Sequence, residues 1–328
     1  MKFYKYQGAG NDFLIADARS GDLELDSGTV RWLCDRHLGF GADGVMVLEE
    51  GSSTDFRMRY YNPDGSTGMM CGNGGRCIVA FAYDLGFRSF RFEAPDGIHE
   101  ANVLSSSDPF SRVSKIVKLR MRDIDAVCRI SRSDSGIPDW FIDTGARHFV
   151  RFVDRLEGFD VIGQGRGLRY DPRFAPEGVN VDFVCPVSER EIRVRTYEKG
   201  VEDETLACGT GIVASALASY VASSDYSVGQ PAIFPSPGMS IDSVSSLRAV
   251  TFQNKELSHG AGSLSCGQPL FRQHDSKPSM PEIIEYTVHA SIADLRVSFR
   301  PHREDDRFKA DNVFLTGPTT FVGLVETM

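Results

Sequence analysis

Two cysteines occur in matching glycine-rich turns that could give their side chains an acid or base role. The turns read Cys71-Gly72-Asn73-Gly74 and Cys208-Gly209-Thr210-Gly211, and a run of small and apolar residues with helical spacing follows each. A cysteine at the first turn of a helix lies near unpaired backbone N–H groups and the positive end of the helix dipole, which favours the thiolate and lowers the thiol pKa. The glycines leave the amides uncovered, so the same turns can bind a carboxylate.

Two such turns would place one sulfur on either side of a bound carbon atom if they face each other across a cleft. Inversion of a stereocentre needs a base on one face and an acid on the other, and a thiolate and a thiol exchange these roles when the reaction runs backward. The amides and helix ends would stabilise the carbanion-like transition state beside the carboxylate. The pattern therefore predicts an amino-acid epimerase that uses Cys71 and Cys208 and needs neither a cofactor nor a metal.

The other five cysteines lack this context and are interpreted as small buried side chains. A metal or redox pair of Cys71 and Cys77 is disfavoured, because their spacing is Cys-x5-Cys and no matching pair of ligands lies nearby in the sequence. The five are Cys34, Cys77, Cys128, Cys185 and Cys266.

Length and composition limit the function further. The 328 residues are enough for two cores of ~150 residues. The net charge of −9 argues against a nucleic-acid partner. No run approaches the ~18 apolar residues of a membrane span, and the polar start does not resemble a signal peptide. Seven cysteines without the paired spacing of a disulfide scaffold are typical of a cytoplasmic protein, which is the location we expect. We also expect a small-molecule substrate.

Short strand patterns dominate the chain, and three helix candidates interrupt them. This mixture predicts mostly antiparallel sheets wrapped around a few helices. The helices are expected at 28–38, 74–85 and 209–221, and the strands at 13–17, 44–48, 56–61, 89–93, 115–121, 140–143, 180–184, 192–197, 286–289, 295–299 and 313–316.

The repeated unit of strand, polar loop, cysteine, glycines and helix indicates an internal duplication. We expect a first domain at 1–130 with Cys71, to which the C-terminal end of the chain could add a strand, and a second domain at 131–328 with Cys208. Residues 222–282 are rich in Ser, Pro and Gly and are interpreted as an insertion in the second domain.

Six segments spread over nearly the whole chain outside this insertion resemble the diaminopimelate epimerase family, in the family's order. Jointly they are highly specific. The segments are Gly8-Ala9-Gly10-Asn11-Asp12-Phe13, the run from Asp35 to Gly44, Asn62-Pro63-Asp64-Gly65-Ser66, the Cys71 turn, Gly178-Val179-Asn180-Val181, and the run from Glu198 to Gly211.

The resemblance implies interconversion of LL- and meso-diaminopimelate on the route to lysine and peptidoglycan, without a cofactor or metal. It implies an α/β (α+β) fold of two similar pseudo-symmetric domains, each a curled, mostly antiparallel sheet or barrel around a central helix, and a possible homodimer. By this resemblance Cys71 and Cys208 are catalytic. The implied substrate-binding residues are Asn11, Asn62, Gly72, Asn73, Asn180, Glu198, Lys199, Gly209 and Thr210.

Three positions depart from the family pattern. Lys199 stands where the family usually has arginine, and an ammonium cannot make the two-pronged contact of a guanidinium with a carboxylate. Ala146 lacks a candidate polar contact and is left out of the predicted site, and the nearby His148 could be either a structural or a site residue. Gly44 replaces a glutamine and is compatible with the family.

Other functions remain possible at this point. A proline or hydroxyproline racemase also uses two cysteines, but the asparagines offer partners for a distal amino-acid head that proline lacks. A thiol redox switch would join Cys71 and Cys208 in a reversible disulfide. A non-catalytic binding module would need the anion site but not both sulfurs.

Overall fold

The computed structural model describes residues 1–21, 23–68, 70–104, 114–132, 138–224, 283–304 and 307–327. From residue 225 onward, the predicted insertion and Cys266 lie outside the described residues. Within the described part of the chain, no helix is long and apolar enough to cross a membrane.

The first half of the chain forms a closed barrel of eight strands. Each strand pairs with the next in sequence, and the long last strand of the chain pairs with both the seventh and the first, which closes the ring. The strands are β1 (Lys2–Gly8), β2 (Asn11–Asp17), β3 (Gly44–Glu49), β4 (Phe56–Tyr61), β5 (Arg91–Ala94), β6 (Gly97–Leu104), β7 (Ser114–Arg120) and β16 (Arg307–Glu326).

The second half repeats this arrangement. Its strands follow one another in the sheet up to β16, and a bridge between Ile124 and Ala310 links the start of the half to β16. The strands are β8 (Val127–Arg132), β9 (Pro138–Asp143), β10 (Arg147–Phe152), β11 (Asn180–Ser188), β12 (Glu191–Glu198), β14 (Ile284–His289) and β15 (Asp294–Glu304), with β13 (Asp203–Thr205) paired to β12.

The order of parallel and antiparallel pairs is the same in both halves. In the first half, β2 and β4 run parallel to the strands that follow them. In the second half, β10 and β12 run parallel to β11 and β14. A right-handed excursion that contains a helix commonly joins parallel neighbours, and here each parallel pair encloses one helix. The helices are α1 (Ser27–Cys34), α2 (Gly72–Asp84), α3 (Val161–Arg169) and α4 (Gly209–Ser223).

Helices α2 and α4 occupy the two barrel interiors and are therefore apolar on nearly every side. Ile78 and Val79 in α2, and Val213 and Leu217 in α4, have no exposed surface. A helix that is buried on every side belongs to the core of a protein, and burial of one such side chain stabilises the folded state by ~1.5–3 kcal/mol. The two barrels thus fix the position and direction of both helix N-termini.

The predicted fold class is confirmed. The helices expected at 74–85 and 209–221 agree with α2 and α4 to within two residues at each end. The helix expected at 28–38 is shorter, because the backbone leaves the helical conformation at Asp35. The proposed domain boundary between residues 130 and 131 falls within β8, and the division into two domains stays a prediction.

Several elements were not predicted. Strands β1, β6, β8, β10 and β13 and helix α3 were absent from the sequence-based expectation. The sequence of α3, VIGQGRGLR, contains three glycines, which disfavour a helix. Its N-terminus is stabilised by Asp160, whose side chain accepts a hydrogen bond from the Gly163 amide at 2.8 Å.

Candidate active site

Each of the two cysteines is the N-cap residue of a central helix. Cys71 caps α2, and its Sγ accepts a hydrogen bond from the Gly74 amide at 3.2 Å. Cys208 caps α4, and its Sγ lies 3.4 Å from the hydroxyl of Thr210. Both sulfurs therefore lie at the end of a helix where backbone N–H groups have no helical acceptor.

The N-termini of α2 and α4 meet at a pair of glycines. A Cβ atom on Gly209 would lie 3.3 Å from the Cα of Gly72 and 3.1 Å from the Leu315 side chain. A Cβ atom on Gly72 would lie 2.9 Å from the same Leu315 side chain. Glycine at both positions thus lets the two helix ends approach to backbone contact, and their positive ends converge on one place.

The second glycine of each turn also makes room for a polar group. A Cβ atom on Gly74 would lie 3.2 Å from Cys71 Sγ, and one on Gly211 would lie 2.3 Å from Asp182 Oδ1. The glycines expected to uncover the amides therefore also leave space for the Cys71 sulfur and the Asp182 carboxylate.

The expectation of lowered thiol pKa values was wrong. Burial raises the pKa of Cys71, although its hydrogen bond from Gly74 acts in the opposite direction. Burial, followed by the negative charges of Glu198 and Asp182, raises the pKa of Cys208 well above its ordinary value. The helix N-termini do favour the thiolates, but removal of the sulfurs from water outweighs that effect.

A buried chain of polar side chains leads away from Cys208. Thr210 Oγ1 lies 3.0 Å from His148 Nε2, and His148 Nδ1 lies 2.7 Å from Asp182 Oδ2. Asp182 also accepts a hydrogen bond from the Thr196 hydroxyl at 2.7 Å. His148 and Asp182 have no exposed surface. We call Cys208, Thr210, His148, Asp182 and Thr196 the Cys208 chain.

The sequence pattern leaves the role of His148 open and gives no prediction for Asp182. The signal was present in β11, where Asp182 stands among the apolar residues of the sequence NVDFVC. A carboxylate in a fully buried strand requires a partner, and a histidine in the neighbouring strand β10 supplies it.

Glu198, at the end of β12, influences both thiols. Its Oε2 accepts a hydrogen bond from the Thr205 hydroxyl at 2.9 Å. Burial raises the pKa of Glu198 itself, and its charge raises the pKa of Cys71 and of Cys208. This half-buried carboxylate thus belongs to the same electrostatic environment as the two sulfurs.

Asn73 connects the two halves of the site. Its Nδ2 donates to the carbonyl oxygen of Ala207 at 2.9 Å, next to Cys208, and also donates to Asn11 Oδ1. Asn11 in turn donates to Asp43 Oδ2 at 3.0 Å. The side chain of Asn73 therefore holds the Cys71 turn against the residue that precedes Cys208.

The remaining predicted residues have local partners. Asn180 Oδ1 accepts from the Lys199 amide at 2.8 Å, and Asn180 Nδ2 donates to the Arg147 carbonyl at 3.2 Å. Asn62 donates to the Ser66 hydroxyl at 3.0 Å, and no described contact joins it to either cysteine turn. The Lys199 side chain is exposed. Substrate contacts of these three residues stay predictions.

The other described cysteines are free thiols without the features of the two turns. Cys34, Cys77 and Cys128 are buried as expected, whereas Cys185 is only half-buried. Among the described residues, no group of three or more His, Cys, Asp or Glu side chains is arranged to hold a metal ion.

Solved structures define the class of protein by its fold. A phenazine biosynthesis protein of the PhzF family from Bacillus anthracis matches with a TM-score of 0.65 and 13% identity, over 100% of this chain and 99% of that one. A hydroxyproline epimerase from Agrobacterium vitis matches with a TM-score of 0.57 and 14% identity, over 99% and 91%. The chain therefore has the two-barrel fold that these proteins share.

Sequence comparison identifies the family. The family model described as diaminopimelate epimerase matches residues 3–115 and 140–232. The diaminopimelate epimerase of Flavobacterium psychrophilum is 43% identical over 221 residues, which cover 66% of this chain and 81% of the relative. That of Chlorobaculum tepidum is 41% identical, with 65% and 81% covered. The chain belongs to the diaminopimelate epimerase family and is an isomerase.

Proposed function

We propose that the protein interconverts LL- and meso-2,6-diaminopimelate by transfer of the α-proton between Cys71 and Cys208. The observation that supports this proposal most strongly is the contact of Gly72 with Gly209, which brings together two helix N-termini whose N-cap residues are cysteines. Two convergent helix ends repel each other unless a negative charge lies between them, and a substrate carboxylate supplies that charge.

In the proposed reaction one cysteine is a thiolate and the other a thiol. The thiolate removes the α-proton, and the electron pair of the C–H bond passes into the carboxylate-stabilised carbanion. The thiol on the opposite face then donates its proton to the same carbon, so the configuration inverts and the charge moves to the second sulfur. Backbone amides of Gly72, Asn73, Gly209 and Thr210 would hold the carboxylate during both steps.

The Cys208 chain offers a route for the proton of that buried thiol. With Asp182 accepting the Nδ1 proton, His148 Nε2 is free to accept a proton from Thr210. Cys208 passes its proton to the Thr210 oxygen while Thr210 passes its own hydroxyl proton to His148 Nε2. The re-formed Thr210 hydroxyl then donates a hydrogen bond to the Cys208 thiolate. His148 would thus compensate for the cost of forming a thiolate in a buried position.

Glu198 is proposed to bind the ammonium group beside the reacting carbon. An ammonium group at this carboxylate would offset the negative charge that raises both thiol pKa values. Asn11, Asn62, Asn180 and Lys199 are proposed to bind the polar ends of the substrate. With Lys199 in place of arginine, we expect a single-point contact with the distal carboxylate and a higher KM.

Three finer points belong to the same proposal because they rest on the family resemblance. They are the role of the reaction in making lysine and peptidoglycan precursors, the location in the cytoplasm, and assembly as a homodimer. Sedimentation of the purified protein tests the last point directly, since a monomer at all concentrations would contradict it.

The direct test uses reduced protein with LL-diaminopimelate and, separately, L-proline. We expect epimerisation of diaminopimelate only, and a loss of ~10²- to 10⁴-fold or more in kcat for Cys71→Ala and for Cys208→Ala. Cys185→Ala is the matched control, because this half-buried thiol lies outside both turns and its loss should leave the rate unchanged.

Other outcomes would replace the proposal. Turnover of proline in place of diaminopimelate would indicate the racemase. Binding of diaminopimelate without turnover, unaffected by Cys208→Ala, would indicate a binding module. A reversible Cys71–Cys208 disulfide in a protein that turns over neither substrate would indicate a redox switch.

A further inference from the structure

Arg76 is a buried cation in the second turn of α2. Its side chain has no exposed surface. Among the described residues, the titratable groups that act on it are the thiols of Cys77 and Cys71, and none is a carboxylate. A buried charge is normally paired with an opposite charge, because its removal from water is strongly unfavourable. An ion pair with a carboxylate therefore does not explain why an arginine is buried at this position.

The hydrogen bonds of Arg76 lead to the turn that begins with Cys71. Nη1 donates to the Gly72 carbonyl at 3.1 Å, and Nη2 donates to Asn73 Oδ1 at 2.9 Å. Nε is buried, and none of the described residues accepts a hydrogen bond from it. The planar guanidinium thus holds two successive residues of the turn, Gly72 and Asn73, in place.

Two glycines in neighbouring strands make space for this guanidinium. A Cβ atom on Gly317 of β16 would lie 3.3 Å from Arg76 Nε. A Cβ atom on Gly8 of β1 would lie 3.6 Å from Nη2 and 3.0 Å from Cys77 Sγ. The close fit between two strands leaves the guanidinium little freedom to turn away from α2.

The guanidinium also acts on Cys71 through its charge. Burial lowers the pKa of Arg76 to about 10, so it remains a cation at neutral pH. Its charge lowers the pKa of Cys71 and so opposes burial and the charge of Glu198. Among the described residues, Tyr60 and Cys77 also interact electrostatically with Cys71, and burial raises the pKa of both.

We infer that Arg76 is a positioning residue that holds the first turn of α2 in place and balances the negative charge formed at Cys71. The effect extends to the second turn, because Asn73 links the guanidinium to Ala207. This inference rests on the proposed function, in which Cys71 is a thiolate during part of each cycle and a substrate carboxylate lies at the same helix ends.

The test compares Arg76→Met, which removes the charge, with Arg76→Lys, which keeps a charge but loses the planar fork. The first measurement needs no substrate. It is the rate of alkylation of Cys71 by iodoacetamide as a function of pH, followed on the Cys71 peptide by mass spectrometry. We expect Arg76→Met to shift the midpoint of this profile upward by about one pH unit, whereas Arg76→Lys should retain the wild-type midpoint.

The second measurement is epimerisation of diaminopimelate by the same folded variants. We expect Arg76→Met to lower kcat at least ~10-fold with a smaller change in KM, since one pKa unit corresponds to a tenfold change in equilibrium. A folded Arg76→Met protein with the wild-type alkylation profile would overturn the inference. If Arg76→Met does not fold, the alkylation profile of Arg76→Lys decides. An upward shift of its midpoint by about one pH unit would overturn the inference.

The two measurements separate the inference from the proposed function. An alkylation shift in a protein that turns over no diaminopimelate would contradict the proposed function and support the electrostatic effect of Arg76. Turnover of diaminopimelate together with an unchanged alkylation profile would support the function and contradict the inference.

Discussion

The two thiols have different surroundings although they occupy equivalent turns. Cys71 accepts a hydrogen bond from the Gly74 amide, whereas Cys208 contacts the hydroxyl that begins a buried chain to His148. Burial raises the pKa of both thiols. In the proposed reaction each sulfur becomes a thiolate in turn, so each needs its own hydrogen-bond donor. For Cys208 that donor is the hydroxyl of Thr210.

Replacement of Thr210 by valine tests that hydroxyl. Thr210→Val keeps the shape of the side chain but breaks the link from Cys208 to His148, so we expect kcat to fall roughly 10- to 100-fold, below the full contribution of a positioned acid or base. Thr210→Ser retains the hydroxyl and should keep most of the activity. Steady-state kinetics of both variants measure the difference, and equal rates for valine and serine would contradict the proton route.

The cysteine turns could be predicted from sequence because their chemistry is local. A cysteine followed by glycines at a helix start has unpaired backbone amides beside its sulfur in any fold. The partners of His148 could not be predicted in the same way, because Asp182 lies in the next strand of the sheet and Thr210 lies on the central helix. Burial of the sulfurs, which reverses the expected pKa shift, likewise depends on the assembled barrels.

The first residues of helices α2 and α4 are in contact. The Gly209→Ala variant should disturb this contact without preventing folding, because the added methyl group meets Gly72 and the Leu315 side chain. Since a misplacement of about 1 Å can reduce a rate 10²-fold, we expect a loss in kcat of about that size.

Gly167→Ala is the matched control for Gly209→Ala. Gly167 lies in helix α3, and no atom of the described part of the chain lies within 4 Å of the position that its Cβ atom would take. Alanine there should leave kcat unchanged and stabilise the helix by up to ~1 kcal/mol. Full activity in folded Gly209→Ala protein would show that close approach of the two helix ends is not needed.

The core helices were easier to predict than the strands around them. Helices α2 and α4 have long apolar patterns, whereas β10, with the sequence RHFVRF, is short and has arginines among its apolar residues. Such a segment becomes a strand because it pairs with β9 and β11 on both sides. Pairing of this kind is a tertiary effect that outweighs local propensity.

The two barrels share one strand. The first part of β16 pairs with β15 of the second half, and its later part pairs with β7 and β1 of the first half. Asn73 adds a hydrogen bond between the halves at the cysteine turns. Loss of either barrel would expose the edge of the shared strand, so the halves should unfold together.

The two tryptophans of the chain allow this to be measured. Trp32 lies in α1 of the first half, and Trp140 lies fully buried in β9 of the second. We expect Trp32→Phe and Trp140→Phe, each with one remaining tryptophan, to give the same thermal midpoint by fluorescence and by circular dichroism. Midpoints that differ between the two probes within one variant would show that the halves unfold separately.

In the proposed mechanism two thiols on opposite faces of the substrate carbon share the proton transfer, and incorporation of deuterium from the solvent distinguishes this mechanism from one with a single base. Reduced wild-type protein is incubated with LL-diaminopimelate in D2O, and both isomers are analysed by mass spectrometry at low conversion. We expect one deuterium at the inverted carbon of the meso product, because the donating thiol has exchanged its proton with the solvent. Recovered LL-diaminopimelate should retain its hydrogen, because the thiolate that removes the α-proton does not give a proton back to the same face. Product that retains the original hydrogen, or substrate that gains deuterium faster than it inverts, would indicate a single base and rule out the two-thiol mechanism.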